Sequence, residues 1–480
     1  MLKKANYYII LFTTTTLLVA GCQNYKATLV ENNKAMPATF NGGTDTLTIA
    51  TLPVKSFFAD ANLVTLIDSA LLANPDMLTA LQRVEAARAN VRGAAARLLP
   101  QINATARAGV EKYGDYTQNG VGNYDTNFSN NINSDQKIPN PVPDYFLGFQ
   151  SSWEVDLWGK LGATKKAAYL RFLASQSGQR LVVTSLAAEI AKAYYQLLAL
   201  DTELRIIKKN TVLQEKALEI VKIQKLGGRA TELAVQQFLA QLLRTRAMES
   251  LTRQQVKEAE NELSFLTGKF GGTIPRDTSI MSAKLPDAVK VGIPSQLLLN
   301  RPDIQTAELE LAAANADIQA ARKAFLPSLT LTPYVGYNAF KAGLLFDPGS
   351  FTYGILGGLT APIFNRNALK ADLNRSIAES KIAVYNYQKN ILAGYREVSN
   401  GLNAIENYGQ YYELKQQELT SLTNALSVAN DLYVVGRANY LEIITAQQSV
   451  LQAELDMANT RRDMFLSSIN LYQAVGGGWR

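Results

Sequence analysis

Histidine is absent from all 480 residues, and cysteine occurs once. Without histidine the chain lacks the commonest general base and the commonest metal ligand. Ser-His-Asp and Cys-His catalysis are therefore excluded, and a metal hydrolase would need an all-carboxylate site. A lone cysteine excludes a disulfide framework and any multi-cysteine zinc or iron–sulfur centre. There is no Gly-rich phosphate loop and no clustered acidic metal motif. No enzyme, no resident metal and no bound cofactor is expected. Past the N-terminal segment, no stretch has the roughly 20 apolar residues of a membrane-spanning helix. If the chain resides in a membrane, it crosses as a β-barrel or sits on a lipid anchor.

The one cysteine is placed tellingly. Lys3 and Lys4 precede a short apolar run, Tyr7 to Ala20, which closes on Val19-Ala20-Gly21-Cys22. That layout is a bacterial secretory signal. Its end is similar to a lipobox, in which Cys22 receives a diacylglycerol on sulfur and an N-acyl chain and becomes the first mature residue. Gln23 follows rather than Asp, which by resemblance to bacterial lipoproteins favours the outer membrane. The formal charge of +7 becomes +5 once Lys3 and Lys4 are removed. The basic residues are scattered along helical stretches rather than gathered in a run, so solvated helix faces are expected and no nucleic-acid partner.

The chain is written twice. Asn74-Pro75-Asp76 opens a helical stretch that ends at Leu98-Leu99-Pro100, and Arg301-Pro302-Asp303 opens another that ends at Phe325-Leu326-Pro327. Gly228-Arg229-Ala230 and Gly436-Arg437-Ala438 each precede a long helical pattern. Residues 1–21 read as the signal and 22–60 as an anchored N-terminal segment. The repeats span 61–268 and 292–474, joined by a linker at 269–291 and followed by a tail at 475–480.

Each repeat holds two stretches of period-two alternation, about 101–113 and 144–157, then 328–340 and 351–363. Tyr145, Leu147, Phe149, Trp153, Val155 and Leu157 share one face, with Gln150, Ser152, Glu154 and Asp156 on the other. An apolar face backed by a polar one fits a membrane barrel with a wet lumen, although a soluble sandwich strand alternates likewise. Residues 114–143, rich in Asn, Asp, Gly and Tyr, read as an exposed loop. Helices of about 159–226 and 365–434 would each be on the order of 100 Å long and must pack lengthwise as coiled coils. The last helix carries a seam of Leu441, Ile444, Gln448, Leu451, Leu455, Ala458, Arg462, Phe465, Ile469 and Tyr472. Gln448 and Arg462 interrupt it, and either face a water-filled space or snorkel to the surface.

These features together resemble the TolC-type outer-membrane efflux proteins, lipoprotein branch. The residues carrying the resemblance are Phe57-Phe58-Ala59-Asp60, Val84 to Pro100, Ser152 to Gly159, Asn300-Arg301-Pro302-Asp303-Ile304, Ala312 to Pro327 and Ala361-Pro362-Ile363-Phe364. The resemblance implies a mainly α protein with a membrane β-barrel part. Long coiled-coil helices would form a periplasmic α-barrel, and four strands per protomer would enter a shared 12-stranded barrel of a homotrimer. It implies a passive conduit for drugs or other small toxic solutes, working with a periplasmic adaptor and an inner-membrane, proton-driven transporter. The tips, Gly228, Arg229 and Ala230 with Gly436, Arg437 and Ala438, would dock the adaptor. Leu441, Thr445, Glu442 and Gln448 would stand at the periplasmic gate. Lipoprotein members often read Leu-Leu-Asp-Ala-Gln there, whereas this chain has Ile443-Ile444-Thr445-Ala446-Gln447. Thr445 thus replaces the acidic residue, and Glu442 lies about 300° around the helix from it. A type I polypeptide-secretion outlet would share the fold. A non-transport coiled-coil envelope lipoprotein would leave the paired strands unexplained.

Overall fold

The computed structural model describes residues 36–40, 47–277, 279–286 and 290–479; the signal segment and Cys22 lie outside them. Asp60 opens α1 (Ala61–Ala73), its carboxylate accepting from the backbone N–H groups of Asn62 and Leu63. Asn74 caps α2 (Pro75–Ala96) in the same way, with Pro75 in the first turn, where no N–H is needed. Then come β1 (Gln101–Glu111), α3 (Gln118–Thr126), β2 (Val142–Val155), α4 (Lys160–Leu226) and α5 (Glu232–Leu266). The second half supplies α6 (Pro302–Lys323), β3 (Ser328–Ala339), β4 (Phe351–Thr360), α7 (Arg366–Val434) and α8 (Tyr440–Ala474). The doubling shows in the lengths. α2 and α6 have 22 residues each, α4 and α7 have 67 and 69, and α5 and α8 have 35 each.

Strand ends differ from the alternation pattern by one to three residues. β2 stops at Val155 rather than 157 because Asp156 leaves the ladder and caps α4, accepting from the N–H groups of Leu161 and Gly162 at 2.9 and 2.7 Å. β4 stops at Thr360 rather than 363, just before Ala361 and Pro362, which has no N–H to give. β1 ends at Glu111 rather than 113, β3 at Ala339 rather than 340, and β2 begins at 142 rather than 144. The stretch 114–143 is not an open loop throughout. It holds α3, and the Asn127 side chain exchanges two hydrogen bonds with the Ile138 backbone.

The four strands form one antiparallel sheet in the order β1-β2-β3-β4. Register carries the apolar face across it: Ala104, Phe149, Val335 and Tyr353 stand in one row, and Ala106, Leu147, Tyr337 and Phe351 in the next. The other face holds Arg107, Asp144 and Asn338, with Arg107 and Asp144 paired at 2.8 Å and Asn338 donating to Asp144 at 2.7 Å. Phe146 also lies on that face, 5 % exposed, edge-on to Tyr334. Gly148 and Gly336 sit opposite each other; a Cβ at either would stand 2.4 or 2.5 Å from a neighbouring carbonyl oxygen.

The main core lies where α1, α4, α5, α7 and α8 meet. Phe57 stacks on Tyr472 at 4.0 Å and Tyr195 on Phe465 at 4.1 Å. Tyr194 donates to the Asp60 carboxylate at 2.9 Å; burial first, then this carboxylate, pushes its phenol above the ordinary range. Part of the linker is docked on the helices. Ile280 is fully buried, and Arg276 pairs with Asp201 on α4 and with Glu260 on α5 at 2.5 and 2.9 Å. The tail is held too, with Trp479 donating to the Asn300 carbonyl and Arg180 over its ring.

Candidate functional site

The sheet has two outer edges, on β1 and β4, that meet no strand among the described residues. Its apolar face is exposed, with Ile102, Tyr353, Ile355 and Leu359 each about 70 % exposed. The helices leave the opposite problem. α7 runs for 69 residues, on the order of 100 Å, yet buries only Leu373, Ser376, Ser380, Gly394, Val398 and Gly401. Tyr385, Leu392, Leu414 and Val428 along its length are more than half exposed. One protomer thus presents an unfinished sheet and unfinished helix packing on the same molecule.

Far from the sheet, α4 turns into α5 and α7 into α8. Both reversals use one device. The N–H of Arg229 donates to the Gln224 carbonyl and that of Gly228 to Lys225; the N–H of Arg437 donates to Leu432 and that of Gly436 to Tyr433. Each is a glycine-closed helix end, with Gly228 at φ 68° and Gly436 at φ 75°, a region that costs any residue with a Cβ about 1 kcal/mol or more. Thr231 then caps α5 through its hydroxyl, and Asn439 caps α8 through its amide oxygen. Ala230 and Ala438 are half-buried behind the turns, while Arg229 and Arg437 are exposed and make no side-chain bond among the described residues. Tyr433 donates to the Gln224 side chain and ties the two tips together. Around them Leu226, Val434 and Val435 are 87, 84 and 66 % exposed, an apolar tip that periodicity did not single out.

The gate candidates do not all point the same way. Leu441 and Thr445, one turn apart, are both exposed, as is Glu442 beside them. Ile443 and Ile444 turn inward and are buried. Gln448 is half-buried and donates to Gln241 on α5, so its amide is engaged within the protomer. Arg462 is likewise half-buried, bonded to Asn459 at 2.6 Å and to Asp463 at 2.8–2.9 Å. Of the ten seam residues, Leu441 alone is exposed.

Arg301 is the residue whose weight sequence reasoning underestimated. It reads as a helix-opening motif, but its guanidinium is buried and forked onto Asp303, with further bonds to Glu397 on α7 and the Ala474 carbonyl ending α8. Burial works against its charge, and the Asp303 and Glu397 carboxylates more than offset that, raising its pKa. One side chain therefore joins the start of α6, the middle of α7 and the end of α8. Its partners lie 96 and 173 positions away, where no local pattern could show them.

Comparison with known proteins gives this architecture its relatives. Residues 66–269 and 293–477 match the family described as outer membrane efflux protein. The solvent efflux pump outer membrane protein SrpC of Pseudomonas putida is 29 % identical over 96 % of this chain and 97 % of its own. The probable outer membrane lipoprotein SilC of Salmonella typhimurium is 29 % identical over 98 % of each chain. A membrane protein of Pseudomonas aeruginosa known from its crystal structure superposes with a TM-score of 0.82 at 29 % identity, covering 92 % of this chain and 99 % of that one. The match covers both halves of the chain and the overall fold is shared, so the chain belongs to the outer membrane efflux protein family, TolC-type channels of the bacterial outer membrane.

Proposed function

We propose that three copies of this chain close one 12-stranded barrel and one helical tunnel. The assembly is a passive conduit through which small toxic solutes leave an inner-membrane pump and cross the periplasm and outer membrane. The observation that carries this reading is the sheet with two unpaired edges and an exposed apolar face, on a chain whose α7 is mostly uncovered. Open strand edges are not tolerated in lipid, so the sheet must be completed by other copies. The exposed tips around Arg229 and Arg437 are the surface for a periplasmic adaptor, which couples the conduit to a proton-driven transporter. Solvent efflux, in the name of SrpC, is cargo of the same class. A diacylglycerol and an N-acyl chain on Cys22 add an accessory anchor, and the conduit uses no cofactor besides. The work is done by geometry and not by bond-making.

In this reading Leu441 forms the tightest apolar ring at the periplasmic end, and Thr445 brings no charge to it. The protein reconstituted in a planar bilayer should be mostly closed. Leu441→Ala should raise the open fraction several-fold, and Thr445→Asp should add sensitivity to block by multivalent cations. If the wild-type protein forms no channel, the conduit reading fails. If it conducts and neither substitution alters conductance, the constriction lies elsewhere.

A further inference from the structure

The basic residues that look scattered in the sequence are gathered by the fold. Four segments, each a strand–helix join together with the adjoining helix end, lie at 92–100, 156–170, 322–327 and 361–370. They hold nine Lys or Arg and one acidic residue, Asp156, an excess that exceeds the +7 of the whole chain. The topology sets all four at one height. Gln101 pairs with Ser152 and Ser328 with Thr360 at the same end of the sheet. Trp153 donates to the Leu98 carbonyl, Trp158 to Pro327 and Lys323 to Gly159, lacing the segments together.

Within this band Arg92, Arg97, Lys165, Lys166, Arg366 and Lys370 are exposed and make no ion pair or side-chain hydrogen bond among the described residues. The Asp156 carboxylate is taken up by the α4 N–H groups and does not neutralise them. Between the cations and the strands stand exposed apolar side chains: Leu99 at 65 %, Trp158 at 48 %, Ile363 at 71 % and Phe364 at 99 %. Along the barrel axis the order is apolar strand face, apolar and aromatic rim, then cations, the layering that meets a bilayer interface. The other end of the sheet differs. Its longer loop, 112–141, carries Lys112 and Lys137 against Asp115, Asp125 and Asp135.

We propose that this collar binds the anionic headgroups of phospholipids in the periplasmic leaflet of the outer membrane and so fixes the height at which the barrel sits. The inference rests on the strands being the membrane-crossing part, with the long helices on the periplasmic side. Charge complementarity selects the occupant: six unpartnered cations just below the apolar rim face phosphates, whereas a zwitterionic surface offers no net charge to match. Attraction of this kind is screened by salt, since the Debye length falls from about 8 Å at 0.15 M to about 3 Å at 1 M.

The full-length protein in mild detergent is incubated with phosphatidylglycerol and phosphatidylethanolamine in equal amounts, and the retained lipid is counted by mass spectrometry. Wild type should retain phosphatidylglycerol at least threefold over phosphatidylethanolamine at low salt, with the preference shrinking at high salt. The joint variant Arg92→Gln, Arg97→Gln, Lys165→Gln, Lys166→Gln, Arg366→Gln and Lys370→Gln should lose the preference. The charge-keeping set Arg92→Lys, Arg97→Lys, Lys165→Arg, Lys166→Arg, Arg366→Lys and Lys370→Arg should retain it. No preference in wild type, or an equal preference in the Gln variant, overturns the proposal. So does a changed ion selectivity of the reconstituted channel with lipid retention untouched, which would place the cations on the lumen. Lipid retention is read without transport, so a failed conduction assay would leave it standing.

Discussion

At the scale of single residues, the legible positions are those whose backbone demands leave few choices. Gly228 and Gly436 precede Arg-Ala in both halves, and both hold the positive φ that a glycine-closed helix end requires. Asn74 reads as a helix opening and caps α2, whereas Asp60, which carried no such reading in the sequence, proves to cap α1. The unreadable residues are those whose meaning lies in a distant partner. Gln448 interrupts the seam in the sequence, but its acceptor, Gln241, is 207 positions away. Arg301 reads as part of a helix start, yet it bonds to the far end of α8. Cys22 is a residue-scale claim of a different kind, resting on Val19-Ala20-Gly21-Cys22 after a short apolar run. Cys22→Ala should abolish incorporation of a fatty-acid probe into the protein. Unchanged labelling, or a mature N-terminus elsewhere, would remove the lipid anchor. The barrel should still insert in either case, because strands that cross the bilayer hold it more firmly than acyl chains do.

At the scale of elements, period sets type and caps set limits. Alternation marked all four strands, and their ends moved where Asp156 turned to cap α4 and where Pro362 interrupts. α3 escaped notice because Gln118–Thr126 holds two glycines and no apolar stripe, and Thr117 supplies its start through a hydroxyl cap on Gly120. The long helices were legible from length and heptad spacing. Which face of α7 stays uncovered was not, since a stripe looks the same whether its partner is in the same chain or another. The two tips are the element-scale test. Replacing Arg229 and Arg437 with Glu reverses two exposed charges without touching the Gly228 and Gly436 turns. Assembly and thermal stability should stay within about 0.5 kcal/mol of wild type, as for most exposed substitutions. Cross-linking to the adaptor and solute export should fall at least tenfold. Full export from the doubly reversed protein would leave these turns as plain connectors.

At the scale of the whole molecule, the sequence contained the repeat and the unfinished sheet, but not the assembly that completes them. A four-stranded sheet with free edges demands other copies without stating their number. The charge distribution followed the same rule. Cations separated by long stretches of sequence came together because four strand ends share one rim. Both properties belong to topology, which local pattern does not encode. The mass of the protein purified in mild detergent, measured by light scattering with the detergent contribution subtracted, is the most direct test of the central claim. The account predicts three times the chain mass and no lighter folded species. A stable, folded monomer, with its strand edges and its α7 face open, would contradict it.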